Sequence, residues 1–125
     1  MSRPYDIQDR AFLYATEIVD LCRPMLPPGG LVRELAKQLL HSGTSIGANL
    51  EEATAGQTKP DFIAKVCIAR KEARETVYWL QLLVTTNLVA RDEVVWELSE
   101  AEQFVPILGA IVFNSRQSTN RGDWI

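Results

Sequence analysis

The chain has 125 residues, 46% of them hydrophobic and 23% charged, with a net charge of −3. That is one domain's length, enough to bury a core without staples, and the charge is too negative for a protein that coats nucleic acid by charge alone. No apolar run is long enough to cross a bilayer, and Met1-Ser2-Arg3-Pro4-Tyr5-Asp6 carries no apolar leader, so a cytoplasmic location is expected.

The periodicity is helical throughout, with no stretch that alternates long enough to be a strand. A first helix over about 6–22 carries Ile7, Ala11, Tyr14, Ile18 and Cys22 at steps of three or four, and Pro24, Pro27, Pro28, Gly29 and Gly30 end it. A second, over about 31–55, carries Leu35, Leu39, Ile46, Leu50 and Ala53 and stops at Gly56. Beside that stripe stand Ala36, Gly43 and Gly47. Each glycine costs about 1 kcal/mol of helix propensity, so a close neighbouring helix or a bend is expected there. The third helix, over about 59–88, opens with Thr58 as a cap, Pro60 in its first turn and Asp61 at the positive end of its dipole. Its stripe of Phe62, Val66, Ala69, Ala73, Thr76, Leu80 and Leu83 steps four and three without a slip, as a bundle seam does. The fourth, over about 92–114, carries Val94, Leu98, Ala101, Val105, Leu108 and Val112, with a kink expected near Pro106. A tail over 116–125 is expected to be mobile. These elements describe an all-α, up-and-down antiparallel four-helix bundle as a single domain over 1–125.

Surplus apolar residues point to assembly. Ile68, Tyr78, Trp79 and Leu82 project away from the third helix's seam, Val95, Trp96, Ile107 and Phe113 from the fourth's, and Phe12 and Val19 from the first's. Patches of that size mark interfaces, so Ile68, Tyr78, Trp79, Leu82 and Trp96 are expected to meet another copy.

Polar residues suggest further sites. Ser42, Ser45, Asn49 and Glu52 form a row along helix two, suited to fixing the register of neighbouring helices or subunits. Residues 59–88 hold five Lys/Arg against three Asp/Glu, whereas 91–115 hold one against five, so an anionic partner should meet the former. Lys59, Arg70 and Arg74 share one line there and are the candidate RNA contacts, the alternative being a solvated row with Lys71 paired to Glu75. His41 is the only histidine, so a di-iron bundle with two Glu-x-x-His motifs is excluded on ligand count. Glu72-x-x-Glu75 and Glu97-x-x-Glu100 faintly resemble the acidic pairs of magnesium-dependent nucleotide hydrolases, but Glu72 and Glu75 are expected to point away from the seam. Cys22 and Cys67 read as small buried apolar residues rather than a disulfide. Arg121-Gly122-Asp123 spells an integrin tripeptide that has no meaning in a cytoplasmic tail.

The stretch Leu39-Leu40-His41-Ser42-Gly43-Thr44-Ser45-Ile46-Gly47-Ala48-Asn49-Leu50-Glu51-Glu52-Ala53 resembles a signature of the 23S rRNA intervening-sequence proteins, also labelled "four helix bundle protein". Gly56, Asp61-Phe62-Ile63, the run Ile68 to Thr76 and Tyr78-Trp79-Leu80 fit the same pattern. The resemblance implies a bacterial homopentamer with no known catalytic activity; no catalytic residue, metal or cofactor is expected. Some members are encoded inside insertions in large-subunit rRNA genes, and a related retroelement accessory protein works with RNA and a reverse transcriptase. A non-enzymatic oligomeric scaffold associated with RNA or a nucleic-acid enzyme is therefore expected. The alternatives are a direct RNA binder using helix three and a magnesium-dependent nucleotide hydrolase.

Overall fold

The computed structural model describes residues 6–56 and 58–118. It contains α1 (Ile7–Cys22), α2 (Gly30–Ala55), α3 (Lys59–Thr85) and α4 (Val95–Gln117), with short 3-10 turns at Arg23–Met25 and Arg91–Glu93. The helices run up and down as a four-helix bundle. The starts of α1 and α3 each have a local cause, and at α3 it is the expected cap. The Asp6 carboxylate accepts from the Gln8 N–H at 2.8 Å, and the Thr58 hydroxyl from the Asp61 N–H at 3.2 Å. Gly29 and Gly30 take φ of 74° and 66°, a left-handed turn that side chains resist.

Three boundaries differ from expectation. α3 ends at Thr85 because Asn87 adopts φ 62° and closes the helix. The N–H of Leu88 bonds the Leu83 carbonyl and that of Asn87 bonds the Val84 carbonyl, which is the Schellman pattern. α4 starts at Val95 because Arg91–Glu93 winds as a separate 3-10 turn, in which Glu93 Oε1 accepts from the Ala90 N–H at 2.9 Å. At its other end α4 continues to Gln117, so Arg116 is helical and not tail. Residues 119–125, with the rest of the expected tail and the Arg121-Gly122-Asp123 tripeptide, lie outside the described residues. α4 runs unbroken through Pro106, whose missing N–H leaves the Glu102 carbonyl without its helical donor.

The stripes of α1 and α3 are wholly buried. In α2 Leu39, Ile46, Leu50 and Ala53 are buried, and Leu35 is half-buried. In α4 the buried line is Ala101, Phe104, Leu108, Val112 and Ser115. Leu98 and Val105 are only half-buried, so the seam is rotated from the expected one and Phe104, not Val105, fills the centre.

Small residues let α1 and α2 meet closely. A Cβ on Gly43 would stand 2.9 Å from both branches of Ile18, and one on Gly47 would stand 3.3 Å from the Ala11 carbonyl oxygen. On the opposite side, α1 and α4 are joined by long side chains. Arg10 forms a two-point pair with Glu100 at 2.6 and 2.9 Å, and the buried Tyr14 hydroxyl donates to the Glu97 carbonyl at 2.8 Å. The Tyr14 ring meets Phe104 edge-on at 5.5 Å and tilts against Trp96 at 5.8 Å.

Candidate functional site

Helix α3 carries three parallel lines of side chains. The first is the buried seam. The second, Ile68, Glu72, Glu75, Trp79 and Leu82, steps four, three, four, three. The third, Cys67, Lys71, Arg74 and Tyr78, steps four, three, four. The last two define two distinct outer faces.

The second line contains a buried carboxylate. Glu72 was expected to point outward, yet it is 8% exposed, and its Oε1 has no hydrogen-bond partner. Loss of water around it raises its pKa first, and the charge of Glu75 adds to this, while His41 of α2 and Lys71 act the other way. Nearby, the buried Thr76 hydroxyl donates to the Glu72 carbonyl at 2.8 Å and lies 2.9 Å from Ser42 Oγ. Ser42 is thus the member of the polar row that reaches α3. Ser45 donates to the His41 carbonyl at 2.6 Å and Asn49 to the Ser45 carbonyl at 2.8 Å, both within α2, and Glu52 is exposed. Around this line Ile68 is 38% exposed, and Trp79 and Leu82 are half-buried. Trp96, 43% exposed, lies elsewhere, on the α1 side of α4 against Tyr14.

The third line forms one wall of a groove of about 610 Å³ between α3 and α4. Arg70, Lys71, Arg74, Glu75 and Tyr78 line it from α3, and Gly109, Phe113 and Arg116 from α4. Arg70 lies across Gly109, donates from Nε to the Val105 carbonyl at 3.2 Å and lines the groove. Lys71 sits 3.7 Å from Glu75, a solvent-exposed pair worth little. Cys67, expected to be buried, is exposed at the groove wall, whereas Cys22 is buried, and its thiol is pushed up to about 11 by loss of water. Tyr78 lies on this face, and its ring meets that of Trp79 on the second line edge-on at 5.0 Å. Arg116 was missed as a groove residue because the helix was expected to end before it.

Lys59 does not join Arg70 and Arg74. Its Nζ donates to the carbonyls of Ser118 at 2.6 Å and Arg116 at 3.2 Å, capping the end of α4. The acidic pairs do not meet either: Glu72 faces His41 of α2, and Glu100 is held by Arg10 of α1. Among the described residues no three His, Cys, Asp or Glu side chains gather as a metal would need, and no helix is long and apolar enough to cross a membrane.

Fold and faces together define an all-α bundle whose distinctive chemistry lies on its outer surfaces rather than in an enclosed pocket. The chain belongs to the 23S rRNA-intervening sequence protein family, whose model matches residues 3–110. It is similar to a solved structure described as a protein with unknown function from the S23 ribosomal protein family of Bacteroides thetaiotaomicron. The two share 36% sequence identity with a TM-score of 0.78, over 86% of this chain and 98% of that one. No curated protein matches. The family expected from residues 39–53 is the one found.

Proposed function

We propose that this chain is a non-enzymatic, self-assembling bundle of the bacterial cytoplasm that acts as a scaffold for RNA or a nucleic-acid enzyme. The observation that carries the reading is the apolar surface left uncovered on a single copy. Phe12, Ile68, Val95 and Phe113 are exposed on three different helices of one small bundle. Water-facing residues of this kind, gathered on a small domain, favour association. A pentamer is the stoichiometry that the family resemblance implies.

Light scattering on the purified protein tests this. The expected mass is a multiple of 14.0 kDa at micromolar concentration, reduced to one copy by Ile68→Glu with helical content unchanged. A strictly monomeric wild type would sink the proposal.

Direct RNA binding through α3 is the second reading. It is favoured by Arg70 and Arg74 facing one groove with Arg116, in a chain that is otherwise acidic. Salt-sensitive RNA retention, lost on changing Arg70 and Arg74 to Glu, is its test.

A further inference from the structure

We propose that the α3–α4 groove is a binding track for a single nucleic-acid strand, with phosphates on Arg70, Arg74 and Arg116 and bases stacked on Tyr78 and Phe113. The inference rests on the direct-RNA reading and specifies its site and its ligand.

Four properties of the groove carry it. First, its charge is concentrated. Four cations and one carboxylate line it, a net +3 on a protein whose total is −3. Second, its rings are presented rather than hidden. Tyr78 is 57% exposed and Phe113 64% exposed, so each offers a face, and Trp79 braces the Tyr78 ring. Arginines beside exposed rings are the combination that holds strands, because every base has a face to stack. Third, the dimensions fit. Arg70 and Arg74 stand one turn apart, a rise of about 6 Å, and the α3 wall from Cys67 to Tyr78 is about 16 Å long, room for two or three nucleotides. A slot between two packed helices, whose axes lie about 8–10 Å apart, does not admit a duplex. Fourth, among the described residues no Asn, Gln, Ser or Thr side chain lines the groove, and with its arginines on phosphates and its rings on base faces, binding should be largely indifferent to sequence. An acidic peptide would find the same charges. Its apolar side chains, however, would want concave pockets rather than rings standing at the rim.

The experiment is fluorescence anisotropy with a labelled 12-nucleotide oligouridylate on the full chain. A 12-base-pair RNA duplex and a Glu/Tyr copolymer serve as competitors. Wild type should bind the strand. Raising salt from 50 to 200 mM should weaken binding about 20-fold, the slope expected of three neutralised phosphates on a single strand. Phe113→Ser and Tyr78→Ser should each weaken binding at least about fivefold, Tyr78→Phe should restore it, and Arg74→Glu with Arg116→Glu should abolish it. Phe113 is among the exposed apolar residues that favour association, so light scattering of each ring variant at the assay concentration separates a loss of assembly from a loss of stacking. Binding that survives both ring changes but not the arginine changes overturns the stacking track and leaves the broader RNA reading standing. Binding that survives the arginine changes as well, including Arg70→Glu, overturns both. Equal competition by the duplex, or stronger competition by the acidic copolymer, also overturns the proposal.

Discussion

Tyr14 of α1 donates its buried hydroxyl to the Glu97 carbonyl of α4 at 2.8 Å, joining the two helices of the bundle that otherwise meet through long side chains. Burial raises the phenol's pKa far above its ordinary value, and the nearby charges of Glu97 and Glu100 add to the rise. Tyr14→Phe should cost about 1 kcal/mol in urea unfolding at pH 7, since one buried hydrogen bond is lost. The fold keeps a proton that the unfolded chain releases above about pH 10, so wild type should lose stability with rising pH there. The variant should lose less over that range, and identical slopes for the two proteins would contradict the burial argument.

Glu72 should be a liability in an isolated subunit. Its pKa is raised in the fold, so the folded chain holds the proton more tightly than the unfolded chain does. Acidification through that raised range therefore adds stability, and the addition is complete once the pH falls below the ordinary value of 4.5. Glu72→Gln should stabilise the dilute, monomeric protein by about 1 kcal/mol at pH 7, with the gain shrinking toward pH 4.5. Denaturant titrations at the two pH values decide it, and a variant less stable than wild type at pH 7 would mean the carboxylate has a partner within the subunit.

Gly43→Ala should be costly although alanine is the better helix former. The new methyl would stand 2.9 Å from Ile18, which is fully buried and cannot swing aside. Overpacking of roughly 1–3 kcal/mol outweighs a propensity gain of about 1 kcal/mol, so thermal unfolding should come earlier. Gly109→Ala is the contrast: its nearest neighbour is the flexible Arg70 side chain, so it should be neutral or slightly stabilising.

Lys59→Met should loosen the end of α4. Two carbonyls in its last turn lose a charged donor, a loss of roughly 1 kcal/mol. Hydrogen exchange should quicken at residues 114–118 and stay unchanged at the Tyr14 end of the helix.

The core was legible in the sequence where one apolar stripe stood against polar neighbours, as in α1 and α3. It was misread in α4, where Val105 and Phe104 are adjacent and both apolar. Spacing alone cannot choose between two such seams; contact with Tyr14 decides for Phe104. Helix ends were misread where the deciding signal was a single unusual backbone angle, as at Asn87, or a donor distant in sequence, as at Lys59. The groove was half legible. Arg70 and Arg74 share a face by period, but Arg116 and Phe113 join them only because α4 packs antiparallel to α3. Glu72 could not have been found as buried from its own helix, since its cover comes partly from α2.

The Lys59 bonds to residues 116 and 118 have a consequence for how the molecule can be handled. They pin the last turn of α4 beside the first turn of α3, and Gln8 touches Glu51 and Thr54 at the same pole. The described residues thus begin and end at one pole, and the opposite pole is made of turns at Arg23–Gly29 and Thr86–Val94. A bulky group attached at Ser118 would stand beside Arg116 at one end of the arginine groove, whereas an insertion at the Arg23–Gly29 turn would leave the groove open.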